Sequence, residues 1–214
     1  MKRPISFRYK MSLVALVALF VLSCSSVTYL DKHQYQSDIK ALTESTVAVS
    51  NGENVLLKKC NYVFTKNGRV AASECFGNSD DQLINTEKKL WFEKQSFPDR
   101  EPYYCKTRWK PKQRERISCY TQKQYKENES IYYYHKDGRI DKIEENFTSF
   151  NTSYYRYSSS KVLEAIIIKD KAGVLIDSIL VKCLSKDRFN NCTQLEKRYT
   201  VSDSLIVVKR EIRY

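Results

Sequence analysis

Glycine and histidine are scarce in this chain, with five and two residues respectively among 214. Five scattered glycines leave none for a phosphate-cradling loop, and no Gly-x-Ser-x-Gly elbow occurs to expose a nucleophilic serine. With only His33 and His135, and no Cys-x-x-Cys, the sequence offers no set of metal ligands, so neither metal nor cofactor is expected. His135 flanks the Asp137-Gly138 dipeptide and reads as a turn residue rather than a general base, while His33 falls in a polar N-terminal stretch. Glu144 and Glu145 cannot form a hydrolytic carboxylate pair, because neighbours on a strand point to opposite faces. No catalytic residue is expected, and the chain reads as a non-enzyme.

Long apolar runs are nearly absent as well. One exists, Leu13 to Leu22, behind the basic residues Lys2, Arg3, Arg8 and Lys10. It falls well short of the roughly 20 residues a spanning helix needs and has the form of a secretory leader. Its exit, Val21-Leu22-Ser23-Cys24, resembles the lipobox of bacterial lipoproteins, although Leu22 is bulkier than that family usually shows there. The resemblance implies cleavage after Ser23 and acylation of Cys24. With Ser25 rather than Asp following, it also implies sorting to the outer membrane of a bacterial envelope, facing the periplasm or the cell surface. Several acyl chains at about 0.8 kcal/mol per buried methylene would make that attachment effectively permanent. The organisation read from the sequence is a signal peptide over 1–23, a lipidated tether over 24–54 and an antiparallel β domain over 55–214. Within the tether, Tyr35, Ile39, Leu42 and Thr46 fall at the spacing of a short amphipathic helix.

Cysteine is not scarce. Setting Cys24 aside, Cys60, Cys75, Cys105, Cys119, Cys183 and Cys192 remain, an even set in an exported chain. Each consecutive pair straddles a turn signal. Cys60 and Cys75 are equidistant from Asn67-Gly68, Cys105 and Cys119 from Lys112 beside Pro111, and Cys183 and Cys192 from the Asp187–Arg188 junction. Residues facing each other across a hairpin are equidistant from its turn, so these pairs are predicted to form cross-strand bridges. Each closes a short loop, for about 2 to 3 kcal/mol in the chain-entropy view. A strict two-residue Asn-Gly turn would make Cys60 and Cys75 a hydrogen-bonded pair about 5.5 Å apart at Cα.

Runs rich in Tyr, Ile and Val recur from Leu56 onward, separated by turn residues at the spacing of an antiparallel meander. The predicted fold is all-β, a meander of about 10 to 12 strands curled into a barrel-like or sandwiched sheet. One short helix is expected after the capping pattern Ser79-Asp80-Asp81-Gln82, running toward Leu90 and Trp91. The segment from Tyr62 to Val70 recurs from Tyr132 to Ile140, with Tyr, Lys, Gly and Arg identical. This aromatic-x-aromatic, turn, Gly-Arg pattern resembles the tyrosine-rich YD repeats of RHS-type shell proteins over two hairpins. Thr65 and His135 stand where that repeat usually has Asp.

The formal charge is +12, and loss of the four leader cations with residues 1–23 lowers it by four to +8. The densest basic stretch holds Lys106, Arg108, Lys110, Lys112, Arg114 and Arg116, with Tyr103, Tyr104, Trp109 and Tyr120 alongside. Cations with interleaved rings suit a polyanion, and they equally suit a charged hairpin tip that prevents edge-to-edge aggregation. The expected function is that of a membrane-anchored envelope lipoprotein binding another envelope protein or an anionic macromolecule through its β-surface. The alternatives are an immunity or inhibitor lipoprotein acting against a toxin, and a polyanion binder using hairpin 106–116.

Overall fold

The structure is a computed structural model and describes residues 27–36, 38–50, 53–77, 84–89, 92–97, 101–110 and 112–214. The predicted leader and Cys24 lie outside these residues. One helical turn, α1 (Tyr29–Lys32), precedes fourteen strands. They are β1 (Ala41–Ser50), β2 (Glu53–Phe64), β3 (Val70–Gly77), β4 (Ile84–Lys89), β5 (Phe92–Ser96), β6 (Tyr103–Lys110) and β7 (Arg114–Tyr120), then β8 (Lys126–Tyr134), β9 (Ile140–Glu145), β10 (Thr152–Tyr157), β11 (Leu163–Lys169), β12 (Leu175–Lys186), β13 (Cys192–Tyr199) and β14 (Leu205–Arg213). Each strand pairs antiparallel with the next, and β1 pairs with β14 from Ala41 opposite Arg213 to Val49 opposite Leu205. The sheet is therefore a closed barrel.

The all-β meander agrees with the sequence, but two segments differ from expectation. Residues 41–50, assigned to the tether and to a helical face, form β1. Thr43, Thr46, Val47 and Val49 are β-branched, and β2 and β14 offer a hydrogen-bonding edge on either side. Residues 84–89, assigned to a helix, form β4 between β3 and β5. The start of that predicted helix, Ser79 to Leu83, and its end at Leu90 and Trp91 lie outside the described residues. With β1, β4 and β5 added, the strand count exceeds the predicted range.

Six hairpins use one device. At 65–69, 121–125, 135–139, 158–162, 170–174 and 187–191, the first residue's N–H donates to the fifth residue's carbonyl while the fourth residue's N–H donates back to the first residue's carbonyl. The fourth residue has positive φ in every case: Gly68, Gln124, Gly138, Lys161, Gly173 and Asn190. A bulge or shift in register follows in each flanking ladder. The predicted two-residue Asn-Gly turn is thus a five-residue turn. The added bulge restores Cys60 opposite Cys75, with Cα atoms 4.1 Å apart rather than about 5.5 Å. Disulfides join Cys60 to Cys75, Cys105 to Cys119 and Cys183 to Cys192.

Fourteen strands make a barrel wider than side chains can fill, since eight strands already leave an interior just wide enough for packing. The segment from Val27 to Lys40 closes one end. Thr28 and Asp31 cap α1 reciprocally, Asp31 N–H donating to Thr28 Oγ1 (3.1 Å) and Thr28 N–H to Asp31 Oδ2 (2.9 Å). Leu30 packs with Ile39, Leu42 and Phe64 in a buried cluster, and the Tyr29 ring lies 5.2 Å from Tyr62 and 5.3 Å from Phe64. Further along, Gln34 Nε2 donates to Lys161 O at 2.6 Å, and the buried Asn191 amide exchanges hydrogen bonds with the Gln36 backbone. Leu30 and Thr28 sit over Gly68, and Asp31 and Val27 sit over Gly138. The two hairpins of the sequence echo thus clamp the closing segment.

Candidate functional site

Two parts of the barrel concentrate charge, one outside and one inside. On the outside, Cys105 and Thr107 point inward and are buried, while Lys106, Arg108 and Lys110 alternate with them and are exposed. On β7, Arg114 and Arg116 share that outer face. The register sets Arg108 opposite Arg116 and Lys110 opposite Arg114. Like charges placed directly across a ladder are destabilising, so this arrangement costs stability by itself. None of the five forms an ion pair with a carboxylate among the described residues, and Arg116 Nε is buried without a hydrogen-bond partner. The neighbouring carboxylates are hydrogen-bonded elsewhere, Glu129 to Ser118 and Lys126 and Glu144 to Tyr133 and Lys142, although the Arg116 charge also acts on Glu129. Lys112 stands at the β6–β7 turn with φ +52° and shares a groove with Val27, Asp31, Lys136 and Asp137. The six cations predicted from sequence therefore fall on one hairpin, five on its outer face and one at its tip.

Inside, the lumen forms two chambers beneath α1. The larger, about 520 Å³, is lined by Tyr62, Lys58, Glu93, Ile117, Asn128 and Tyr132 among others, and the smaller, about 190 Å³, lies against β10 to β14. Lys32, His33, Ile140 and Tyr155 border both. All three disulfides reach these walls: Cys75 and Cys119 line the larger chamber, and Cys183 and Cys192 line the smaller.

The interior charges are mostly matched. Lys32 Nζ pairs with Glu115 Oε2, which also accepts from Tyr134 Oη at 2.7 Å, and the ammonium sits 5.0 Å from the Tyr132 ring. Arg210 Nε donates to Glu44 Oε2 at 2.9 Å, across the β1–β14 ladder. Burial raises the hydroxyl pKa of Tyr29, Tyr132 and Tyr155, the last to about 12, so these rings stay neutral donors. His33 faces the hollow interior rather than bulk solvent. Its removal from bulk water, with Arg210, Lys32 and Lys197 nearby, lowers its pKa to about 3 and keeps the imidazole uncharged.

Among the described residues neither histidine is bonded to a nucleophile. His135 lies 3.6 Å from Asp141 Oδ1, with its ring edge-on to Tyr157. Glu144 is bonded on the outer wall, and Glu145 accepts from Ser130 on the lumen side, so the two carboxylates separate as their adjacency requires. Among the described residues no group of His, Cys, Asp or Glu could hold a metal ion, and no helix is long and apolar enough to cross a membrane. The outer wall also differs from that of a membrane-spanning barrel. Lys59, Arg108, Arg156, Lys182 and Lys209 are exposed along it, where a lipid-facing band would be apolar. The lumen residues Glu44, Glu115, Lys197 and Arg210 were not singled out by sequence. A charged residue two positions from an apolar one, and so on the same strand face, is the signal available, as in Leu42-x-Glu44 and Leu195-x-Lys197.

No protein-family profile matches this sequence, and no curated protein matches it. Among solved structures, the chain is similar to a porin-like protein from Bacteroides uniformis, with 13% identity and a TM-score of 0.39 over 76% of this chain and 56% of that one. The chain thus spans little more than half the length of that protein. It is also similar to a LolA-superfamily protein from Nitrosomonas europaea (7% identity, TM-score 0.41, 85% and 87% covered). A third is a putative outer-membrane lipoprotein-sorting protein domain from Vibrio parahaemolyticus (5% identity, TM-score 0.38, 81% and 85% covered). With TM-scores below 0.5, these likenesses assign neither family nor function.

Proposed function

We propose that this chain is a non-catalytic lipoprotein of the bacterial envelope, acylated at Cys24 and held at the outer membrane, that binds a polyanionic macromolecule through the outer face of β6 and β7. The observation that carries the reading is the pair of like-charge positions, Arg108 opposite Arg116 and Lys110 opposite Arg114, none of which is bonded to a carboxylate among the described residues. Such pairs weaken the sheet unless an anion bridges them, and guanidinium groups suit phosphate oxygens by bidentate donation. Position supports the reading too. Val27, three residues after Cys24, lies at the end of the barrel where Lys112 and Lys136 share its groove. An anchor leaving from there would hold the basic hairpin tip close to the membrane surface, where phosphate-bearing lipopolysaccharide is a polyanion of fitting chemistry.

Titration of the purified protein with lipopolysaccharide at several salt concentrations tests this. Binding is expected to weaken steeply with salt, and Arg108→Ser and Arg116→Ser should each lower the log–log slope by about one. A salt-independent affinity, or slopes unchanged in both variants, would overturn the assignment.

A further inference from the structure

The smaller chamber contains one cation more than its anions neutralise. Arg210 is matched by Glu44 and Lys32 by Glu115, and His33 is uncharged. Lys197 also borders the chamber, and its ammonium has no hydrogen bond or ion pair with any described residue. Glu44, the carboxylate whose field it feels, is already bonded to Arg210. A cation held away from bulk water with no counter-charge of its own is a costly feature, and burial accordingly lowers the Lys197 pKa. The wall beside it is apolar: Leu163, Leu195, the buried Ile166 and the Tyr155 ring.

The chamber also has a way in. It is bordered by Gln34 and by Val162, which is 45% exposed at the rim of the β10–β11 turn. The Gln34 Nε2 to Lys161 O hydrogen bond spans that point.

From this geometry we infer that the smaller chamber is a binding site for a small amphipathic monoanion, its carboxylate on Lys197 and its short apolar body against Leu163, Ile166 and Leu195. One unmatched positive charge calls for one negative charge, and a volume of about 190 Å³ calls for a compact body rather than a long chain. This site is separate from the outer face of β6 and β7. Success or failure at either leaves the other untouched.

Calorimetric titration with octanoate, and with octanol as the neutral counterpart, decides the matter. The protein is expected to bind octanoate at one site and octanol at least tenfold more weakly. Lys197→Met should lose at least tenfold in octanoate affinity, with octanol binding unchanged and the fold intact by circular dichroism. Lys197→Arg keeps the charge and should keep octanoate binding, which separates loss of the counter-charge from loss of structure. Absence of octanoate binding to the wild-type protein, equal affinity for octanol, or wild-type octanoate binding by Lys197→Met would each overturn the inference.

Discussion

The turn at 135–139 and the turn at 170–174 have the same backbone. In each, a glycine at the fourth position has positive φ and the same two hydrogen bonds close the loop. Their surroundings are opposite. A Cβ added at Gly138 would meet Asp31 at 3.3 Å and Val27 at 3.6 Å, whereas one added at Gly173 would meet nothing within 4 Å. The first turn belongs to the end of the barrel closed by the N-terminal segment. The second belongs to the far end, where Val174, Leu175 and Ile176 are 60%, 52% and 41% exposed. Identical local chemistry thus serves two purposes: at the far end it only reverses the chain, and at the closed end it also receives α1. What holds the closed end together is therefore tertiary contact, concentrated in a few side chains of the N-terminal segment, the buried Leu30 and Ile39 together with Tyr29, Asp31 and Lys32.

The largest expected effect follows from breaking that contact at its most buried charge. Glu115→Ala removes the acceptor of both Lys32 Nζ and Tyr134 Oη. Deleting one partner of a buried pair typically costs about 3 to 5 kcal/mol, and urea unfolding of the variant should show a loss of that size. If the cost arises from the stranded cation, Lys32→Met combined with Glu115→Leu should recover most of it. A double variant as unstable as Glu115→Ala would mean that α1 is held chiefly by its apolar contacts around Leu30.

An intermediate effect compares the two glycines directly. Gly173→Ala adds only the strain of a side chain in the left-handed region, about 1 to 2 kcal/mol. Gly138→Ala carries the same strain and also pushes against Asp31 Cβ, and Gly68→Ala against Leu30 at 3.1 and 3.2 Å. Thermal melts should therefore rank Gly173→Ala above both other variants. Equal losses at Gly138 and Gly173 would show that the N-terminal segment yields without cost, and the contrast between the two ends would fail.

Much of this architecture was legible because disulfide positions and turn residues obey local rules. Cysteine pairs equidistant from Asn67-Gly68 and from Lys112 required no knowledge of the barrel, whereas the third turn lies at 187–191 rather than at the Asp187–Arg188 junction, sets Cys183 opposite Leu195 and Cys192 opposite Lys186, and leaves that bridge to run diagonally across the ladder. Glycine marked three of the six five-residue turns. At the others the positive-φ position is held by Gln124, Lys161 and Asn190, and of these only asparagine is a usual occupant. The basic face of β6 and β7 was legible as composition, and strand alternation then fixes which cations share a side.

The lumen was not legible, for a physical reason. Reading inside from outside assumes that the inward face is apolar, and a barrel too wide to fill breaks that assumption. Glu44, Tyr62, Glu115, Lys197 and Arg210 face inward, so the pattern along β1 is neither an alternation of apolar and polar residues nor a helix. The same hollow interior explains why residues 27 to 40, read as a tether, are recruited as a closure: Leu30, Ile39 and Tyr29 have an apolar wall to cover.

The smallest expected effect is one of slope rather than of size, and it again separates the two ends. His33 lies under the closure and faces Arg210 and Lys197 from β14 and β13 and Lys32 from its own segment, with Glu44 across the chamber and the Tyr29 ring 4.3 Å away. Its pKa in the folded protein is about 3, well below that of an unfolded histidine near 6.5. Between these values the unfolded chain binds more protons, so stability rises with pH. The full contribution is present above about pH 6.5 and is lost progressively as pH falls toward 3. The carboxylates Asp137, Asp177, Asp187 and Glu129 have lowered pKa values, Asp137 at about 2 because of its Arg139 partner, so their contributions are lost only as pH falls below the ordinary carboxylate range, beneath the interval from pH 7 to pH 5. Unfolding free energies measured between pH 7 and pH 5 should therefore decline in the wild-type protein and flatten in His33→Asn. A decline of equal steepness in both would place the pH sensitivity elsewhere and leave the closed end without a titrating group of its own in that range.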